Sequence, residues 1–208
     1  ASGTSVVKVR LSDFTRVGVV TFNEGAFSLS SGVIDTANGF AYFGTDGPPG
    51  KIVKVRLSDF TGDGSLTLNQ GEDQLYSAVI DPGNGFAYFG AITSPRGRVV
   101  KVRLSDFTRI GSLTLNDEER PRSMVIDTIN GFAYLGTYRG VVVKVRLSDL
   151  TRIGSLTMTN EALLSAVADP NAGFAYFGTG GESVLRVRLS DFSNAFGTDP
   201  LTIGRAWV

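Results

Sequence analysis

"SAVIDPGNGFAYFG", residues 77–90, is one of four versions of the same phrase in this chain. The others are "SGVIDTANGFAYFG" (31–44), "SMVIDTINGFAYLG" (123–136) and "SAVADPNAGFAYFG" (165–178). A reaction centre is a single constellation and needs one copy of its residues. Four copies at near-constant spacing describe architecture.

A second phrase surrounds the first. "KVRLSDF" stands at 8–14, 54–60 and 101–107, "KVRLSDL" at 144–150 and "RVRLSDF" at 186–192. Successive copies start roughly 42 to 47 residues apart, the spacing of propeller blades. A third phrase, "GVVTF", "GSLTL", "GSLTL" and "GSLTM", begins at Gly18, Gly64, Gly111 and Gly154. Each unit therefore holds four short runs rich in β-branched and aromatic residues, separated by Gly, Asp, Asn and Pro, and no helical period. Asn-Gly between apolar runs predicts a tight hairpin, because Gly accepts positive φ. The Ser-Asp pair of "RLSDF" predicts a turn after the third strand. "FAYFG" carries bulk on both sides, as a strand covered on both faces does.

The expected fold is all-β, a single β-propeller domain over residues 1–208 built from four-stranded blades. The innermost strand is "SAVID", followed by "GFAYFG", "VVKVRLSD" and an outermost "GSLTL". The repeat units run approximately 27–68, 74–115, 120–158 and 162–203, preceded by a half blade at 6–22. Residues 204–208, "GRAWV", open a new inner strand in this scheme. About four and a half repeats leave one blade incomplete, or completed by another chain.

These phrases resemble the YVTN-type propeller repeat. Tyr42, Tyr88, Tyr134 and Tyr176 fall at that repeat's Tyr, and Asp13, Asp59, Asp106, Asp149 and Asp191 fall near the Asp that ends its third strand. The "RLSDF" wording departs from the family's. The resemblance implies a propeller, often extracellular, and carries no catalytic residues.

Composition narrows function mainly by exclusion. Lys+Arg and Asp+Glu are 20 each, so no net field draws the chain to nucleic acid or anionic lipid. There is no Cys and no His, which removes thiolate chemistry, the usual general base and the commonest zinc ligand. No apolar run approaches the roughly 18 residues of a membrane span. A soluble chain without cofactor or metal is expected, and Ala1 in place of Met points to a processed, secreted protein.

Three groups of side chains invite a site. Asp35, Asp81, Asp127 and Asp169 have the chemistry of calcium ligands, but each stands at a turn entrance without calcium-loop spacing, so capping of backbone N–H groups is the stronger reading. Lys8/Arg10, Lys54/Arg56, Lys101/Arg103, Lys144/Arg146 and Arg186/Arg188 share one side of the third strand. They form either a basic ladder or apolar stems with heads paired to the repeated Asp, and equal charge totals favour the pairing.

The loops between strands two and three, and between the outer strand and the next inner one, are the parts that vary. Strand alternation puts both sets on one face, where any ligand should bind. The candidates there are Glu24, Glu72, Asp73, Arg96, Glu118, Glu119, Arg120, Tyr138, Arg139 and Glu161. Paired carboxylates among them would suit a glycoside hydrolase or lyase, but their repetition speaks against a unique pair. A lectin-like glycan site on the same face is the other alternative. The favoured function is a non-enzymatic structural or interaction module whose partner is itself or another protein. Assembly into a homopolymer would run through the terminal strands, because an unclosed blade leaves an unpaired edge.

Overall fold

A computed structural model of the chain describes residues 4–22, 28–195 and 201–202. Strands β1 (Thr4–Val9) and β2 (Arg16–Phe22) form a two-stranded hairpin. Blade 1 is β3 (Leu29–Asp35), β4 (Phe40–Thr45), β5 (Lys51–Arg56) and β6 (Thr61–Thr67). Blade 2 is β7 (Leu75–Asp81), β8 (Phe86–Ala91), β9 (Arg96–Arg103) and β10 (Thr108–Asp117). Blade 3 is β11 (Pro121–Asp127), β12 (Phe132–Thr137), β13 (Val141–Arg146) and β14 (Thr151–Thr157). Blade 4 is β15 (Leu163–Asp169), β16 (Phe174–Thr179) and β17 (Ser183–Arg188), with β18 (Ser193–Asn194) and β19 (Leu201–Thr202) both on the outer edge of β17. All pairings are antiparallel and, β17 with β19 apart, between neighbours in sequence, and β3, β7, β11 and β15 lie side by side as the inner strands.

The all-β propeller expected from the repeats is thus the observed fold, and the half blade is the β1–β2 hairpin. The "GRAWV" segment lies outside the described residues. The outer strands begin earlier than the "GSLTL" phrase, at Thr61, Thr108 and Thr151, because a bulge interrupts their pairing. Lys54 faces Gly64 while Val55 faces Gly62, so one residue of β6 is left over. The same irregularity recurs at Arg109/Gly111 and at Lys144/Val145.

The core lies between blades. Tyr42 and Ile52 of blade 1 pack with Ala87, Phe89, Val100, Val102 and Leu104 of blade 2. Blades 2 and 3, and blades 3 and 4, repeat the arrangement with equivalent residues. In each blade the Tyr of "FAYFG" faces a basic residue across the sheet, as Tyr42–Lys54, Tyr88–Lys101, Tyr134–Lys144 and Tyr176–Arg186. The first three pairs look toward the following blade.

The "RLSDF" turn is what they meet. Phe60, Phe107, Leu150 and Phe192 have φ of 56°, 51°, 57° and 51°, a left-handed backbone that non-glycine residues seldom adopt. Two interactions hold it. The preceding Asp bonds the residue two places on, as in Thr61 N–H to Asp59 Oδ1 at 3.3 Å and Thr151 N–H to Asp149 Oδ1 at 3.2 Å. The apolar side chain then docks on the preceding blade, Phe107 against Tyr42 with ring centres 5.6 Å apart. The Lys ammonium completes the joint. Lys101 Nζ donates to the Leu147 carbonyl of blade 3 at 2.9 Å, with the Phe86 ring 4.1 Å away.

The expected division of labour among charges holds for the turn Asp and for the Arg, but not for the Lys, whose heads go to rings and carbonyls at the joints instead of to the repeated Asp. Asp35, Asp81 and Asp127 are buried at hairpin turns, each accepting from the N–H of Asn38, Asn84 or Asn130. The Arg of each "KVRLSD" phrase pairs with the Asp three residues on, at 2.9 to 3.2 Å.

Candidate functional site

The two variable loop sets are joined in every blade. Asp46 N–H donates to the Ser28 carbonyl at 3.0 Å, Ile92 to Gln74 at 3.2 Å, Tyr138 to Arg120 at 3.3 Å and Gly180 to Ala162 at 2.7 Å. They therefore share one face, as alternation requires. Close approach adds to this bonding: a Cβ at Gly50 would overlap the Glu72 carbonyl, and one at Gly97 the Glu119 carbonyl. Glycine is required at both for the loops to touch.

The acidic candidates separate into two kinds. Glu72 and Glu119 point inward and serve as struts. Glu72 takes a two-point ion pair from Arg109, with Nε at 2.7 Å and Nη2 at 2.5 Å, and also accepts from Asn69 N–H at 3.1 Å. Glu119 does the same with Arg152, at 3.0 and 2.5 Å, and with Asn116 N–H at 3.0 Å. Burial pushes the Glu72 carboxyl up, and the hydrogen bonds from Arg109 and Ser112 more than reverse it, leaving it below its usual value. A carboxylate so held is a poor proton carrier at neutral pH. Asp73 accepts from the Thr93 hydroxyl at 3.2 Å. Arg96 is ion-paired with Asp117 across the β9–β10 pair. Glu161 is exposed beside Thr159. Glu24 lies outside the described residues.

The remaining candidates converge. Glu118, at φ 66°, turns its side chain outward, opposite in sense to Glu119. Its carboxylate meets Arg120 at 3.3 Å and Arg139 at 3.6 Å. Tyr138 is half exposed beside Arg120, whose guanidinium lies 5.7 Å from the ring centre. Two residues that sequence reading did not single out complete the group. Arg122 stands 4.8 Å from the Tyr76 ring and 5.6 Å from the Tyr138 ring. The only sign of them in the sequence is that Tyr76, Arg120 and Arg122 fill positions held by Ala162 and Leu164 in blade 4. Among the described residues no group of three or more acidic side chains could hold a metal ion, and no helix is long and apolar enough to cross a membrane.

No protein-family model matches the sequence, and no curated protein does. Solved structures do match in three dimensions. The structure of U3-55K superposes with a TM-score of 0.69 at 8% identity, over 82% of this chain and 52% of that one. The RRP9 WD40 repeats give 0.68 at 9% identity, over 82% and 51%. The chain thus spans about half the length of the propellers it matches. These likenesses are at the level of fold and do not reach the YVTN type: the chain has a β-propeller repeat fold of the kind that WD40 repeats build.

Proposed function

We propose that the chain is a non-enzymatic β-propeller interaction module that associates end to end with further copies of itself. One observation carries this: equivalent apolar residues are buried inside the array and bare at its ends. Val100, Val102 and Leu104, which face blade 1 from blade 2, are 0, 0 and 6% exposed. Their counterparts in the N-terminal hairpin, Val7, Val9 and Leu11, are 49, 43 and 83% exposed, and Phe14 is 84% exposed. At the other end Val167 is 66% exposed, where Val79 and Val125 are 7 and 6%. A contiguous apolar face of this kind marks an interaction surface.

The two ends are complementary. Among the described residues no blade packs on the "RLSDF" turn of the hairpin from before it, and none packs on the Tyr176 face of blade 4 from after it. Each is half of the joint built three times inside the molecule. The contact is head-to-tail, so it gives a ring or an open filament according to its rotation. Among the described residues β1 pairs with β2 alone, and its other edge would add strand pairing to the same junction. Matching propellers of about twice the length support a ring completed by more blades of this type. The extracellular setting implied by the YVTN-type resemblance belongs to the proposal and is tested by locating the native protein.

Sedimentation of the 208-residue chain should show concentration-dependent association. Phe14→Asp should abolish it while leaving the melting temperature nearly unchanged. A parent chain that stays monomeric at high micromolar concentration overturns the reading.

A further inference from the structure

Independently of end-to-end association, we propose that Arg120, Arg122, Tyr76 and Tyr138 form a binding site for a carboxylate side chain on an acidic peptide segment of a partner protein. With Ile92, the two arginines and Tyr138 line a depression of about 250 Å³ at the joint of blades 2 and 3, on the variable face.

Charge at this spot is unbalanced. Three guanidiniums, those of Arg120, Arg122 and Arg139, stand beside one carboxylate, that of Glu118. Arg122 has no ion pair among the described residues, and the buried Arg120 Nε has no hydrogen-bond partner among them. In a chain whose charges cancel overall, such a local excess is a specific feature. Arg120 and Arg122 also lie against the same Tyr138 ring and repel one another, which an anion between them would relieve.

The geometry favours a carboxylate over other anions. Arg122 lies near two aromatic rings, at 4.8 and 5.6 Å, which restrain its guanidinium before any ligand arrives, and the planar fork of that group matches a carboxylate in two-point contact. The depression has room for one side chain. The half-exposed faces of Tyr76 and Tyr138 flank it and would cover the neighbouring residues of a peptide. Tyr and Arg together are the commonest anchors of protein interfaces. The site occurs once in an otherwise regular array. Blade 2 has Gln74 and Tyr76 where blade 3 has Arg120 and Arg122, and blade 4 has Ala162 and Leu164. One peptide per chain should therefore bind.

The test is fluorescence polarisation with a short fluorescein-labelled peptide carrying a central Asp-Glu pair, against a peptide with Asn-Gln in its place. The acidic peptide should bind saturably, more weakly as salt rises, and the amide peptide should not. Arg122→Ala should abolish binding, and Arg122→Lys, which keeps charge and stem but loses the planar fork, should weaken it about tenfold. The lysine variant decides the matter if the alanine variant fails to fold. Equal binding of the amide peptide, unchanged affinity in Arg122→Lys, or no saturable binding by the parent overturns the proposal. So does displacement by inorganic phosphate at lower concentration than by free glutamate. Repeating the titration on Phe14→Asp separates this site from end-to-end association.

Discussion

The Tyr134 ring of blade 3 stands 5.8 Å from the Phe192 ring of blade 4, and its hydroxyl donates to the Leu189 carbonyl at 3.4 Å. Both contacts cross between blades, and both fall on the "RLSDF" turn. Tyr134→Ala should cost about 3–5 kcal/mol, because a large ring leaves a cavity, while Tyr134→Phe should cost no more than about 1 kcal/mol. In a linear array damage stays near its site. Hydrogen exchange of Tyr134→Ala should show β15–β17 losing protection while β3–β6 keep theirs.

Arg109 and Glu72 make a second test. Glu72 is fully buried, so Arg109→Met strands a carboxylate and should destabilise the chain by about 3 kcal/mol at neutral pH. The pH dependence should also change sign. In the parent, the folded Glu72 value lies below its ordinary 4.5, so its contribution is present above that pH and is lost as pH falls through the folded value. In Arg109→Met the unpaired carboxyl is raised instead, and acid should relieve part of the defect. Urea titrations across the acid range measure both slopes.

Alkaline unfolding should follow the tyrosines between the blades. Burial pushes the phenol of Tyr42 up to about 12 and moves Tyr88 and Tyr134 in the same direction. Folded values above the ordinary 10.0 mean that the stabilisation is complete below that pH. It is then lost as pH rises toward the folded values. Lys101 and Lys144, lowered by burial, act in the opposite sense over the range just below 10.5. Ultraviolet titration should therefore show a late tyrosine phase that coincides with loss of β-sheet signal.

Gly97→Ala should place a methyl group against the Glu119 carbonyl and the Pro121 ring. Overpacking of that kind costs about 1–3 kcal/mol. Because the displaced segment carries Glu118, Arg120 and Arg122, the variant should also weaken acidic-peptide binding, although it alters none of the contacting side chains. Gly111→Ala has open space around the new methyl group and no left-handed backbone to strain, so it should leave that binding intact.

Strand order, hairpin turns and the single variable face could all be read from repeated phrases, because each depends on local pattern. Asp35 as a turn cap was visible for that reason, and so was Arg56 paired with Asp59. Other features depend on what a side chain meets across a joint. Lys54 and Arg56 share a strand side and both reach Asp63, yet Lys54 also sits 3.8 Å from the Phe40 ring while Arg56 also turns to Asp59. Glu118 and Glu119 are neighbours of one type, and a single positive φ at Glu118 sends one outward and leaves the other as a strut. Arg122 and Tyr76 come from different blades, so no window of sequence brings them together. The fourth strands were placed three residues late because the bulge opposite Lys54 hides their start.

The repeated joint has a consequence for folding. When every blade carries the same plug and socket, a half-formed chain can dock blade 1 on blade 3 as readily as on blade 2, the misassembly to which repeat proteins are prone. Small departures from the repeat act as addresses against it. Arg109 and Arg152 clasp Glu72 and Glu119, whereas blade 1 has Gly62 at that position and uses Asp63 to hold Lys54 and Arg56. A blade 1 seated in the place of blade 2 or blade 3 would bring Gly62 instead of an arginine to Glu72 or Glu119 and leave that buried carboxylate without its clasp. The irregularities of this sequence are therefore what put identical-looking blades in order.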